Sequence, residues 1–171
     1  FQEMDYKHVF GSVAKLVIEV DDASRMAELV AKAFRAAQSG RPGPVVVSLP
    51  EDVLTTISTI PACAATTVSM VQPDELQVQE LISKLSAAKR PLVLLGGSCW
   101  SKQGTAALKQ FVETWNLPVA AAFRRQDLLD NNNPQYVGHL SLGMSPALKK
   151  SIQESDLIIA IGTRLGEIAT D

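Results

Sequence analysis

Residues 91–98, PLVLLGGS, hold the pattern on which the fold prediction depends. A short apolar run bounded by proline and by glycines is typical of a strand, because it is too short for a buried helix. The turn at Gly96 and Gly97 leads into a segment whose apolar residues recur at helical spacing: Leu108, Phe111, Val112 and Trp115. Strand, glycine turn and helix in this order indicate an α/β fold.

The same alternation extends from Pro73 to the end of the chain. Helices are predicted to begin at Pro73-Asp74, after the glycine turn, and at Ser145-Pro146, and strands are predicted at residues 91–95, 118–122 and 157–161. Such alternation produces a parallel sheet with right-handed crossovers and helices on both faces, in a Rossmann-like arrangement. Residues 123–144 are predicted to be irregular.

A smaller α/β pattern precedes this one. Residues 15–20 and 45–47 read as strands, and residues 23–39 read as an amphipathic helix that Gly40 ends. Two strands and one helix bury too little apolar surface to fold alone, so the rest of that domain is expected before Phe1. Residues 51–72 lack periodicity and predict an extended connector. We therefore expect the end of one domain at residues 1–54, a linker at 55–72, and a second domain at 73–171, truncated at its C-terminus.

Composition excludes several classes of function. The net charge is -2, with 16 basic and 18 acidic residues and no long basic run, which argues against nucleic acid or an anionic membrane as the main partner. The longest apolar runs are far shorter than a membrane span. Cys63 and Cys99 form no CxxC pattern, so neither a disulfide framework nor a metal site is predicted, and a reducing cytoplasm fits best.

Two strand ends carry candidate ligand-binding residues, each with a structural alternative. Gly96 and Gly97 lie where backbone N–H groups can receive a phosphate, but the full G-x-G-x-x-G pattern is absent, which favours a plain tight turn. Arg164 follows the last predicted strand and could clamp a phosphate, cap a helix or pair with Glu167. Histidines 8 and 139 have no neighbours at metal-ligand spacing and are predicted to be structural or exposed.

Three segments resemble the thiamine-diphosphate-dependent enzymes of the acetolactate-synthase type: FQE at residues 1–3, SGRPGPVVVSLPEDV at 39–53, and GTRLGE at 162–167. That family has a pyrimidine-binding domain, a central domain and a diphosphate-binding domain in succession. The resemblance implies that this chain is the end of the first domain and most of the second.

The resemblance also implies site residues. The family's cofactor-activating glutamate and its G-D-G…N motif, which anchors diphosphate and Mg²⁺, have no counterpart here, so the isolated chain is expected to be inactive. Phe1, Gln2 and Lys15 would lie at the edge of the active site. A nucleotide pocket would use Arg41, Gly96, Gly97 and Arg164. Where FAD-containing members have R-F-D-D-R, this chain has Leu165-Gly166-Glu167 after the arginine, so FAD, ADP or no ligand all stay open.

The resemblance implies a piece of an enzyme that ligates or decarboxylates a 2-oxo acid, as a transferase or lyase. This piece would serve as its central scaffold. Thiamine diphosphate and Mg²⁺ would bind elsewhere in the parent, a cytoplasmic homodimer or homotetramer whose remaining polypeptide is the main partner of this chain. The alternative is a stand-alone module that binds FAD or ADP.

Overall fold

The computed structural model describes residues 3–65, 67, 71–98 and 100–170. The chain divides into two compact units, Phe1–Gln72 and Pro73–Asp171. Each unit has its own parallel sheet, and the α/β class is confirmed. The first unit contains α1 (Tyr6–Phe10), β1 (Leu16–Glu19), a 3₁₀ turn (Ala23–Arg25), α2 (Met26–Gln38), β2 (Val45–Ser48) and α3 (Glu51–Thr55). The second contains α4 (Glu75–Ala87), β3 (Pro91–Leu95), α5 (Lys102–Thr114), β4 (Val119–Ala121), a 3₁₀ turn (Gln126–Leu128), β5 (Tyr136–His139), α6 (Pro146–Glu154), β6 (Leu157–Ile161) and α7 (Glu167–Thr170).

In the first unit, α2 crosses between two parallel strands, as predicted. β1 and β2 pair from Leu16 with Val45 to Glu19 with Ser48. The Asp22 carboxylate accepts the Ser24 N–H at 2.8 Å and so starts the 3₁₀ turn that leads into α2. The core of this unit is formed by side chains from the end of β1, from α2 and from α3: Ile18, Val20, Leu29, Ala33 and Val53.

Two short helices of the first unit depart from the sequence prediction. α1 was not predicted, and Asp5 caps it by accepting the His8 N–H at 2.9 Å. α3 lies in the segment predicted to be an extended connector. It forms because Val53, only 6% exposed, packs into the core, and one such residue leaves no periodic pattern in the sequence. The prediction of an extended connector from residue 51 was therefore wrong for Glu51–Thr55.

The second unit is built on four parallel strands in the order β5-β4-β3-β6. Helices cover both faces. One core cluster joins Leu85 of α4 and Val112 of α5 to β3, and the other joins Leu148 of α6 to the opposite face of the same strand. The alternate residues of β3 therefore serve two cores, which accounts for its unbroken apolar sequence.

One strand of this sheet was missed. β5 lies in residues 123–144, which were predicted to be irregular, so that prediction was wrong for Tyr136–His139. The strand is only four residues long, and its pairing with β4 skips a residue between Tyr136 and Gly138. A glycine with φ of +124° and a bulge remove the alternation that would reveal a strand in sequence.

The helix α4 is less well covered than its apolar residues predict. Leu85 is buried, whereas Leu81 and Ile82 are 38% and 45% exposed. None of the helices in the described part of the chain is long and apolar enough to cross a membrane.

Candidate functional site

The loops at the carboxyl edge of the second sheet meet, as expected for parallel strands. The loop after β3 carries Gly96 and Gly97, and the loop after β6 carries Gly162 and Arg164. The Gly96 N–H donates to the Ile161 carbonyl at 3.0 Å, which ties the first loop to the end of β6. The structure therefore brings these two sequence-predicted segments together at one edge.

The glycines at this edge are required by the approach of the two loops. Gly97 has φ of +76°, and a Cβ atom there would lie 2.1 Å from the Gly162 carbonyl oxygen. Gly162 has φ of +70°, and its Cβ would lie 2.6 Å from the Gly96 carbonyl oxygen. Backbone packing alone thus accounts for the glycines. Phosphate binding at this turn stays a prediction.

The first loop is also held by two side chains that sequence reasoning missed. The indole Nε1 of Trp100 donates to the Gly96 carbonyl at 2.9 Å, and the Arg125 guanidinium donates to the Gly97 carbonyl. Arg125 also donates to both carboxylate oxygens of Asp127, at 3.0 and 3.2 Å. The hydrogen bond from Arg125 holds the pKa of Asp127 below its ordinary value. The position of Arg125 just after β4 was the only signal in the sequence.

A hollow of about 330 Å³ lies beside this loop, next to the start of α5, and its lining includes Trp100, Lys102, Arg125 and Asp127. That volume is at the lower limit of ligand pockets. Arg125 in this lining already pairs with the Asp127 carboxylate and donates to the Gly97 carbonyl. The arginine of this hollow is therefore already occupied within the unit, whereas the Lys102 side chain has no ion pair among the described residues.

Arg164 is exposed and follows the positive-φ residue Gly162. No ion pair joins it to Glu167 within the described part of the second unit, so the pairing alternative is not seen. The next residue, Leu165, has φ of +49°, an uncommon conformation for a side chain of its size. The Arg164 guanidinium is thus presented on a tightly turned loop.

The remaining candidates belong to the first unit. Lys15 lies just before β1, and its Nζ donates to the carbonyls of Ser39 and Arg41, the latter at 3.0 Å. Arg41 is exposed on the turn between α2 and β2. Its convergence with the glycines of the second unit stays a prediction. Phe1 and Gln2 lie outside the described residues.

The histidines form no metal site. His8 is exposed on α1. His139 is half-buried on β5, and its Nδ1 is shielded from solvent without a hydrogen-bond partner. Among the residues that the structure describes, no group of three or more histidine, cysteine or acidic side chains could hold a metal ion.

An apolar hollow lies in the first unit, along an outer face of α2. It measures about 690 Å³ and runs between residues of α2 that include Val30 and Phe34 and a later segment that includes Ile60 and Cys63. Phe34 is 62% exposed there. No cluster of charged groups converges on this groove, so its lining offers apolar packing and no catalytic chemistry.

Comparison with known proteins gives one family and a consistent set of relatives. The family model of the thiamine pyrophosphate enzyme central domain matches residues 78–171. The chain is similar to the acetolactate synthase isozyme 2 large subunit of Escherichia coli, with 28% identity over 170 residues, covering 99% of this chain and 31% of that protein. It is 30% identical over 177 residues to the isozyme 3 large subunit of the same organism, covering 100% of this chain and 31% of the relative. It is 29% identical over 178 residues to an acetolactate synthase of Mycobacterium bovis, covering 99% of this chain and 28% of the relative. The chain thus spans less than a third of the length of these relatives.

Proposed function

Because the chain belongs to the thiamine pyrophosphate enzymes, through their central domain, we propose that it is part of an enzyme that uses thiamine diphosphate to transform a 2-oxo acid. The observation that carries this proposal is the family match over residues 78–171, which falls on the four-stranded parallel sheet. The named relatives are acetolactate synthases, which supports carboligation, a transferase reaction, ahead of simple decarboxylation by a lyase.

In this proposal the present chain is a scaffold. Residues 1–54 would complete a pyrimidine-binding domain, residues 55–72 would link the domains, and residues 73–171 would form the central domain. The scaffold role is supported at the carboxyl edge of the second sheet, because the loops there contact one another rather than leaving an open ligand site. Gly97 packs against Gly162, and Arg125 is engaged by Asp127 and the loop carbonyl.

Thiamine diphosphate and Mg²⁺ belong to the whole enzyme in this proposal. When bound, thiamine diphosphate supplies the electron sink that 2-oxo-acid chemistry requires. The described residues offer no group of metal ligands, so we assign none of them to either one. The contribution of this chain is to hold the position of the neighbouring domains.

A flavin fits this chain poorly. The space that a glycine leaves open for a close phosphate is filled at Gly97 by the backbone of Gly162. The segment after Arg164 also lacks the acidic pair that the family resemblance implies for FAD-containing members. The comparisons do not favour a stand-alone FAD or ADP module either, since the similarity to acetolactate synthases extends over 99% of the chain. We derive no step through FAD.

The whole protein that contains this chain provides the test. With pyruvate, thiamine diphosphate and Mg²⁺ it should form acetolactate, and omission of thiamine diphosphate should abolish the product. The 171-residue chain alone should show neither turnover nor saturable, Mg²⁺-dependent binding of thiamine diphosphate in calorimetry. Binding by the isolated chain would contradict the scaffold role, and turnover independent of the cofactor would contradict the proposed enzyme class.

Three further measurements address the parent enzyme. Its absorption spectrum should lack a stoichiometric flavin band, and a band that disappears in Arg164→Ala would contradict the poor fit of FAD. Light scattering should give a homodimer or homotetramer, and fractionation should place the parent enzyme in the cytoplasm, the compartment predicted from the two unpaired cysteines of the sequence. A monomer in light scattering would contradict the proposed homodimer or homotetramer.

A further inference from the structure

The turn between α2 and β2, residues 39–44, has too few backbone donors for its carbonyl groups. Pro42 and Pro44 have no N–H. The N–H groups of Ser39 and Gly43 both point back to the last turn of α2, to the carbonyls of Arg35 and Ala37, each at 3.0 Å. The carbonyls of the turn itself therefore need donors from another part of the chain.

One residue, Lys15, supplies these donors. Its backbone N–H donates to the Pro44 carbonyl at 2.8 Å. Its Nζ donates to the Ser39 carbonyl and, at 3.0 Å, to the Arg41 carbonyl. Three carbonyls of the turn thus bind a single residue, two of them through its ammonium group.

The stem and the charge of Lys15 suit this position as well. A Cβ atom on Gly43 would lie 3.7 Å from both Cβ and Cδ of Lys15, so the stem lies in contact distance along the turn. The ammonium lies beside Ser39, which caps the C-terminal end of α2, where the helix dipole favours a positive charge. A compact ammonium with three donors can serve two converging carbonyls, which the planar fork of arginine does less easily.

We propose that Lys15 is the positioning residue of this turn, and that it fixes the backbone from which Arg41 projects. The ammonium of Lys15 is consequently committed to the turn rather than to a ligand, which differs from the active-site-edge role that the resemblance implied. Arg41 makes no ion pair within the described part of its unit, so its guanidinium is left exposed on a fixed backbone. The inference is independent of the proposed enzyme activity, and its test needs no turnover.

Amide hydrogen exchange in the whole protein that contains this chain tests the proposal, because residues 1–54 are expected to bury too little apolar surface to fold alone. Lys15→Met keeps the apolar stem and removes the ammonium with both of its hydrogen bonds, so the turn should open more often and the Gly43 amide should exchange at least about tenfold faster, which corresponds to the net loss of one charge-assisted hydrogen bond. The matched control is Lys32→Met, since Lys32 is an exposed lysine on α2. It should change that rate less than about twofold. Lys15→Arg retains charge and donors and should give a rate between those of the wild type and of Lys15→Met.

The amide of Val20, which donates to Ser48 at 3.0 Å, reports whether the sheet itself has been disturbed. Faster exchange at Gly43 with unchanged exchange at Val20 supports the positioning role. Equal rates at Gly43 in Lys15→Met and Lys32→Met overturn it. If Lys15→Met unfolds the unit, Lys15→Arg decides: faster exchange at Gly43 than in the unaltered protein, with unchanged exchange at Val20, supports the proposal, and an unchanged rate at Gly43 overturns it.

Discussion

Replacement of Gly97 by alanine should destabilise the second unit more than any other glycine replacement at its surface. The residue has φ of +76°, and holding a Cβ-bearing residue in this left-handed region costs about 1–2 kcal/mol. The new Cβ would also lie 2.1 Å from the Gly162 oxygen, which is backbone and can move only with its loop. Forced overpacking of this kind costs about 1–3 kcal/mol. The two effects together predict a loss of about 2–5 kcal/mol in unfolding free energy.

Urea unfolding followed by tryptophan fluorescence measures this loss in the right unit, because both tryptophans of the chain, Trp100 and Trp115, belong to residues 73–171. Gly143→Ala is the matched control. It has no neighbour within 4 Å of a built Cβ and no positive φ, so its unfolding free energy should change by less than about 1 kcal/mol. A loss below about 1 kcal/mol for Gly97→Ala, or equal losses in the two variants, would refute the close approach of the two loops.

Two other predictions concern the ends of elements in the second unit. The Asp156 carboxylate accepts two backbone N–H groups of the turn before β3, both at 2.8 Å, and these bonds hold its pKa below the ordinary value. Its stabilisation is therefore present above the ordinary pKa of an aspartate and is lost as pH falls through the lowered pKa. The urea midpoints of wild type and Asp156→Asn should differ at pH 7 and begin to converge only as the pH falls below about 4. Ser145→Ala removes the cap of α6, which accepts a backbone N–H at 3.2 Å, and should cost about 1 kcal/mol, whereas Ser151→Ala on the same helix should change stability by less than about 0.5 kcal/mol in the same urea assay. Equal effects of the two serines, or midpoints that stay apart at low pH, would contradict these assignments.

Local patterns were sufficient to predict most elements of the fold. β3 and β6 coincide with the apolar runs from which they were predicted, because each run is bounded by residues that end a strand. Ser145 and Pro146 begin α6 as expected, since a cap and a first-turn proline act within one turn of helix. β5 was missed because its bulge and its half-exposed side chains leave no period in the sequence.

The candidate site was less predictable, because its contacts join residues distant in sequence. The positions of Gly96 and Gly97 at a strand end followed from the pattern, but their packing against Gly162 depends on the pairing of β3 with β6. Likewise, Lys15 and Ser39 are 24 residues apart, and no spacing rule relates them. The resemblance identified the turn as important, and the hydrogen bonds show what maintains it.

The two outer strands of the second sheet differ in their capacity for intermolecular pairing and aggregation. The extra residue in β5 bends that strand, and a bulged edge is a poor template for another chain. β6 is regular along all five residues of its pairing with β3, and Ile158 on it is 42% exposed. During refolding or storage of the 171-residue chain, self-association by strand addition should therefore begin at β6, and a charged replacement of Ile158 would be the first change to try for a more soluble preparation.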